Sequence, residues 1–378
     1  MHMQRLGLYL HIPFCKSKCL YCDFCSIPRP KPQIVRDYLN ALRRDLEQRS
    51  EACGDYLVDT VYFGGGTPTV LPIEGLESLM ETVASCYRLS PDAEITAECN
   101  PGGTSVDLFR RMRGAGFNRL SLGVQSAHAE ELRALGRIHT FADACQTVEQ
   151  ARAAGFSNLS MDVMFGIPLQ TPESYLATLE QVVELSPQHL SAYSLIVEEG
   201  TPFYRKREGL NLPEEDAVDR MYTDGIFYLR SSGFTQYEIS NFAKPGYESR
   251  HNLKYWNCDP YLGFGPAAHS DFQGQRFGNS RNLAAYIVGE EIVEERETPT
   301  LRQRKAEYIM LRMRLCQGVT AAEYEARFGG SFVEEVALPF SRYAAGGFVL
   351  GSREQVAFTP KGFGVSNAIL SEVLDFAP

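Results

Sequence analysis

The sequence predicts an α/β fold: a partial (β/α)6 barrel over residues 1–204, a connecting cap over 205–300 and a small winged-helix-like α+β domain over 301–378. Three observations predict it. Short apolar runs recur at roughly 25 to 40 residues, the spacing that lets a returning helix join parallel strands. Side chains able to do chemistry stand at the C-terminal ends of those runs, the active face of barrel-like α/β folds. Beyond about residue 204 the rhythm changes.

Residues 6–12 read as the first strand and run into a cysteine-rich loop, after which Pro28, Pro30 and Pro32 forbid helix until about Ile34. Ile34, Val35, Tyr38, Leu39, Leu42 and Leu46 then recur at helical spacing over 34–49. Further strands are expected at 60–63, 94–97, 119–122, 160–164 and 189–195, with helix-compatible segments between them. A helix over 213–231 precedes a Gly-, Asn- and aromatic-rich stretch over 236–282, the expected cap. From 302 the pattern is helix (302–316), helix (320–328), helix (332–344) and two strands (348–350 and 356–359), the order of a winged helix. Such modules often bind DNA, but residues 301–378 hold nine Lys/Arg against eight Asp/Glu, so a structural or partner-docking role is expected.

With 44% hydrophobic and 22% charged residues and a net charge of −10, the 378-residue chain reads as a soluble globular protein with no nucleic-acid partner. No apolar run approaches membrane-spanning length and no secretory signal opens the chain, so a cytoplasmic protein without an integral membrane segment is expected. Of ten cysteines, three fall within eight residues, a metal-binding rather than a disulfide pattern. Cys53, Cys86, Cys99, Cys145, Cys258 and Cys316 read as buried or half-buried thiols.

The cluster is Cys15-x3-Cys19-x2-Cys22. Three thiolates in one loop can hold three irons of a 4Fe-4S cluster and leave the fourth open, whereas electron-carrying clusters normally take four cysteines. Zinc is the alternative, but no second Cys/His pair follows at zinc-finger spacing. Cys25 offers a fourth thiol and is read as accessory. Tyr21 is placed to lie along an adenine and Phe24 to shield the cluster, with loop packing as the plainer role for both. Gly64-Gly65-Gly66-Thr67-Pro68 follows the strand Val61-Tyr62-Phe63; it lacks the Lys and Ser/Thr of a P-loop, so carbonyls accepting from an ammonium suit it better than phosphate binding.

Together, His11-Ile12-Pro13-Phe14-Cys15, the triad with Tyr21, and residues 64–68 resemble the radical SAM superfamily across residues 6–200. Within it the chain is most similar to the oxygen-independent coproporphyrinogen III oxidases and their sister group, the HemW-type haem chaperones. The resemblance implies a 4Fe-4S cluster on Cys15, Cys19 and Cys22 and S-adenosylmethionine (SAM) on its open iron. It also implies SAM contacts from Tyr9, Tyr21, Gly65, Gly66, Thr67, Glu98, Gln125, Arg137 and Asp162, the arginine suiting a carboxylate and the aspartate ribose hydroxyls.

Three features favour the chaperones over the decarboxylases. The decarboxylase pattern Cys-x3-Cys-x2-Cys-x-Cys has its fourth cysteine where this chain has Phe24, the extra thiol falling one residue later at Cys25, and about five residues precede the first strand, so no substrate-closing arm is expected. His251-Asn252-Leu253-Lys254-Tyr255-Trp256 resembles the chaperones' His-Asn-x-x-Tyr-Trp signature. His251 is thus a candidate haem ligand, with a hydrogen-bonded core histidine as the plainer role. The expected partners are haem or a porphyrinogen, haem-acceptor proteins and an electron donor. The alternatives are a coproporphyrinogen III oxidase and a purely structural cluster protein.

Overall fold

The structure, a computed structural model, describes residues 3–374. Its centre is a curved parallel run of six strands in chain order: β1 (Gln4–Ile12), β2 (Tyr56–Gly65), β3 (Leu89–Cys99), β4 (Arg119–Gln125), β5 (Asn158–Phe165) and β6 (His189–Ser194). Each expected strand is present, most of them longer than their apolar cores suggested. Capping boxes at Thr140/Asp143 and Thr171/Ser174 start the helices Phe141–Ala153 and Pro172–Glu184, fixing where the chain turns back after β4 and β5.

The alternation along the strands separates two faces. Leu8, Leu10, Val61, Phe63, Leu120, Leu122, Leu159 and Met161 are fully buried in the core cluster that includes Leu42, Leu76 and Phe109 of the outer helices. The other face carries Tyr9, His11, Thr60, Tyr62, Glu98, Ser121, Asp162 and Tyr193, which turn into a polar lumen. One sequence thus buries an apolar layer under helices and a hydrogen-bonded one inside the barrel.

The segment 205–300, expected as a connecting cap, instead lengthens the sheet at both ends. Tyr261–Phe264 pairs in parallel with the outer edge of β1, and His269–Phe272, Gln275–Asn279 and Val293–Glu297 continue antiparallel from it. Asn241–Ala243 covers the edge of β6. Open strand edges expose unpaired amides, and these additions satisfy them. The barrel is not closed: the result is one mixed twelve-stranded sheet.

The C-terminal unit follows the expected order: helices Leu301–Arg312 and Ala321–Phe328, a π-helical turn Val333–Ala337 leading into Leu338–Ser341, then strands Val349–Gly351 and Gln355–Phe358. A short strand, Val319–Thr320, and the helices Pro360–Gly364 and Ser366–Val373 complete it. It has its own core around Tyr308, Phe332, Phe340 and Phe358. Backbone bonds from Ile239 N to Arg314 O (2.9 Å) and Cys316 N to Tyr237 O (3.0 Å) tie it to the barrel. No described helix is long and apolar enough to cross a membrane.

Candidate functional site

The cysteine loop leaves β1 at the C-terminal mouth of the barrel. Cys15 is buried, and Cys19 and Cys22 are half-buried. The loop is sewn down by Leu20 N to Leu135 O and Phe203 N to Leu20 O, both 3.0 Å, and by Arg29 N to Cys15 O at 2.9 Å. Burial pushes the thiols of Cys15 and Cys22 up, so it opposes free thiolates there. A positive metal bound to them supplies the opposite influence, which is the chemistry this donor set suits. Among the described residues no three His, Cys, Asp or Glu side chains converge on a single-ion position.

The Gly64–Thr67 turn reaches the loop through its amides: Gly66 N donates to Ile12 O (2.9 Å) and Thr67 N to Phe14 O (2.8 Å). With those donors used, the turn is no phosphate cradle. Gly65 has φ +102°, and a Cβ there would lie 2.3 Å from the His11 ring; a Cβ on Gly66 would meet two carbonyls at 2.6 Å. Only glycine fits at either position.

A chain of side-chain bonds crosses the mouth. Arg137 donates to Cys19 Sγ (3.4 Å), to Asn100 Oδ1 (2.6 Å) and to the Gly123 carbonyl (2.6 Å). Asn100 donates to Thr67 Oγ1 (2.7 Å), and Thr67 donates to Cys15 Sγ (3.6 Å). Burial works against the charge of Arg137, but Tyr21 and Cys19 outweigh it and hold the guanidinium protonated. A cavity of about 240 Å³ lined by Lys16, Cys19, Thr67, Asn100 and Arg137 opens beside this chain. Asn100 was not singled out from the sequence; its only signal was its place two residues after Glu98, directly past the end of β3.

Glu98 lies deeper. Its carboxylate accepts from Tyr62 OH (2.9 Å) and Gly65 N (3.0 Å), and burial lifts its pKa to about 7. Asp162 accepts from Ser121 (3.1 Å) and is likewise raised by burial. Gln125 stands at a break in the β4 register with φ 69° and accepts from Tyr193 OH (2.9 Å). Alternation along β4 places it on the lumen face with Ser121, opposite Leu120, Leu122 and Val124. Tyr21 packs against Phe203 and feels the charges of Arg137, Cys19, Cys22 and Asp162. Arg119, also missed from the sequence, is buried beneath them with an unbonded Nε.

The Glu98 shift has a measurable sign. From pH 4.5 to about 7 the folded carboxyl keeps a proton that the unfolded one releases, so this group's contribution falls as pH rises. Glu98→Gln should therefore lose about 3 kcal/mol less than the parent between pH 5 and 8 in urea unfolding. Glu238, raised to about 7 by its own burial, is present in both proteins and cancels in the comparison. Equal losses would show that Glu98 ionises normally.

His11 fixes Cys25. A carbonyl only accepts, so the 2.8 Å contact from His11 Nε2 to Cys25 O makes Nε2 the protonated nitrogen and Nδ1 the acceptor from Tyr9 OH (3.0 Å). The Cys25 thiol meanwhile faces Arg281 O at 3.8 Å, beside the Arg281–Asp23 ion pair.

The His251 segment turns His251 and Lys254 inward and leaves its other residues half-buried. It forms the helix Arg250–Asn257, inserted under the N-terminal ends of the strands as the barrel floor. Glu94 of β3 accepts from Arg250 N (3.1 Å) and His251 N (3.0 Å), an anion at a helix N-terminus. Lys254 and Asp59, both nearly fully buried, meet at 2.7 Å. His251 bonds Thr60 through Nδ1 (2.8 Å) and Tyr255 OH through Nε2 (2.9 Å), and its ring stacks on Tyr62 at 5.1 Å and Tyr9 at 6.4 Å. Burial lowers its pKa to about 3, with Lys254 adding to the effect. The imidazole is neutral, and as folded it offers neither nitrogen to an iron. The structure thus brings Tyr9 together with His251, sets Arg137 beside Cys19 at the mouth, and places Glu98, Asp162 and Gln125 within the lumen.

Residues 9–182 match the Radical SAM superfamily model and residues 300–364 the HemN C-terminal domain. The chain is 35% identical to "Heme chaperone HemW" of Bacillus subtilis, across 97% of this chain and 98% of that one. It is also 35% identical to the protein of the same name from Haemophilus influenzae, with 85% of each chain covered. Among solved structures, the coproporphyrinogen III oxidase of Escherichia coli superposes over 100% of this chain and 92% of its own, with a TM-score of 0.87 and 24% identity, a likeness of fold. The fold expected from the sequence is therefore the one found, and the chain belongs to the HemW family of radical SAM proteins, which implies a 4Fe-4S cluster and SAM.

Proposed function

We propose that this protein is a cytoplasmic haem chaperone that binds haem and delivers it to acceptor proteins, with a cluster on Cys15, Cys19 and Cys22 and SAM in the lumen mouth. Full-length similarity to proteins named as haem chaperones carries the reading. The reading assigns Arg137 to a carboxylate, Glu98 to an ammonium or ribose hydroxyl, and Asp162 to the ribose. The reading puts Gly65, Gly66 and Thr67 along the methionine end, and Gln125, Tyr9 and Tyr21 along the remainder. When bound, the cluster and SAM supply one-electron reductive cleavage of a sulfonium. The chain's own contribution is to bury and orient: Asn100 holds Arg137 and Thr67 in register, and Tyr62 and Gly65 aim Glu98.

For haem, the reading requires His251 to come free. Its helix is held by Thr60, Glu94 and Asp59, so haem capture belongs to a state in which this floor has loosened. The test is a haem titration followed by the Soret band. His251→Ala should weaken the saturable shift about tenfold or more, and Thr60→Val, which releases Nδ1, should strengthen it. Unchanged affinity in both variants would place the iron ligand elsewhere. Formation of protoporphyrinogen from coproporphyrinogen III by the reconstituted protein would favour an enzyme instead.

A further inference from the structure

A groove of about 770 Å³ runs between the helices Pro32–Ser50 and Ile73–Cys86 and ends on Phe14 and Cys15. Its floor is apolar, formed by Val35, Leu39, Val70, Leu71 and Leu79. Its rim is cationic, with Lys16, Arg29, Arg36 and Arg43. Among the described residues no carboxylate pairs with that rim: Lys16 donates to Gly102 O, Arg36 to Gln33, and Arg43 to Asn40 and Ser78. Glu74, the one acid lining the groove among the described residues, is already paired with Arg111 at 2.8 Å. Arg29 is held at the Cys15 end in a left-handed conformation, φ 51°, with its amide on the Cys15 carbonyl. On a chain of net charge −10, an unneutralised basic rim around an apolar floor is a local reversal of sign.

We propose that this groove docks an acidic one-electron carrier protein, a proposal that rests on the reading of Cys15 as a cluster ligand. Complementary charge selects the partner and speeds its encounter, the apolar floor supplies contact area, and the groove's end on Cys15 brings the carrier to the cluster's edge. One electron leaves the reduced carrier, which is oxidised by one unit, and enters on the Cys15 side; no atom or proton moves. A nucleic-acid backbone shares the charge preference, but an apolar floor leading to a cluster cysteine gives it nothing to recognise.

The probe is a flavodoxin. Its oxidised form is titrated calorimetrically into the reconstituted protein, a measurement that needs no electron to pass, and its hydroquinone is then mixed in stopped flow to follow cluster reduction. Binding should weaken with salt. Arg36→Glu with Arg43→Glu should raise the Kd and slow reduction by flavodoxin about tenfold, while reduction by dithionite keeps its parent rate. A Kd within about twofold of the parent would overturn the proposal, as would a variant that loses only binding of a single-stranded oligonucleotide. A parent protein that holds no iron would sink the cluster reading and leave the binding titration to judge the groove.

Discussion

Replacing Cys19 with alanine should drop the iron content of the anaerobically reconstituted protein from about four atoms per chain to below one, while Cys25→Ala keeps about four. Cys19 shares the mouth with Arg137, which ties it through Asn100 and Thr67 to Cys15. Two thiolates do not retain a cubic cluster in a loop open on one side. The Cys25 thiol points toward Arg281, and its carbonyl is fixed by His11, so its loss changes neither the loop nor the donor set. Iron and acid-labile sulfide analysis decides it: loss of iron in the Cys25 variant would make that cysteine a ligand and overturn the triad.

The cysteine cluster was legible in the sequence because it is local, with three thiols in one loop after a strand. The mouth residues were legible for a related reason. Glu98 and Gln125 sit where strands end and Asp162 three residues before the end of β5, and the barrel gathers these positions. What stayed hidden depends on contacts between distant segments. His251 meets Thr60 across 191 positions and Glu94 across 157, and nothing local distinguishes a plug helix from a surface one. The strand Tyr261–Phe264 was hidden similarly: four residues with two glycine-spaced aromatics carry little strand signal until β1 offers an edge. The polar face of the lumen was available in principle, since Glu94, Thr96, Glu98 and Asn100 alternate with Ile95, Ala97 and Cys99.

Lys254→Met should destabilise the protein by about 3–5 kcal/mol, because it leaves the Asp59 carboxylate buried without its main partner. The pair meets at 2.7 Å as a charge contact with side chains 5% and 7% exposed, so water cannot take over. Arg5, itself largely exposed, reaches Asp59 at 3.4 Å and keeps the loss toward the lower figure. Adding Asp59→Asn removes the stranded charge and should recover most of the stability. Thermal unfolding without haem or SAM is the measurement; a single variant as stable as the parent would mean that the floor helix is not held by this pair. The same substitution tests the haem reading, since a loosened floor should bind haem more readily.

The barrel mouth as a whole is tested most directly by electron paramagnetic resonance of the reduced, reconstituted protein with and without SAM. If the triad leaves one iron open and Glu98 and Arg137 hold SAM against it, adding SAM shifts the cluster signal, and Glu98→Gln or Arg137→Gln abolishes that shift while leaving the cluster intact. A signal indifferent to SAM in the parent, or zinc in place of iron, would contradict the assignment of these residues.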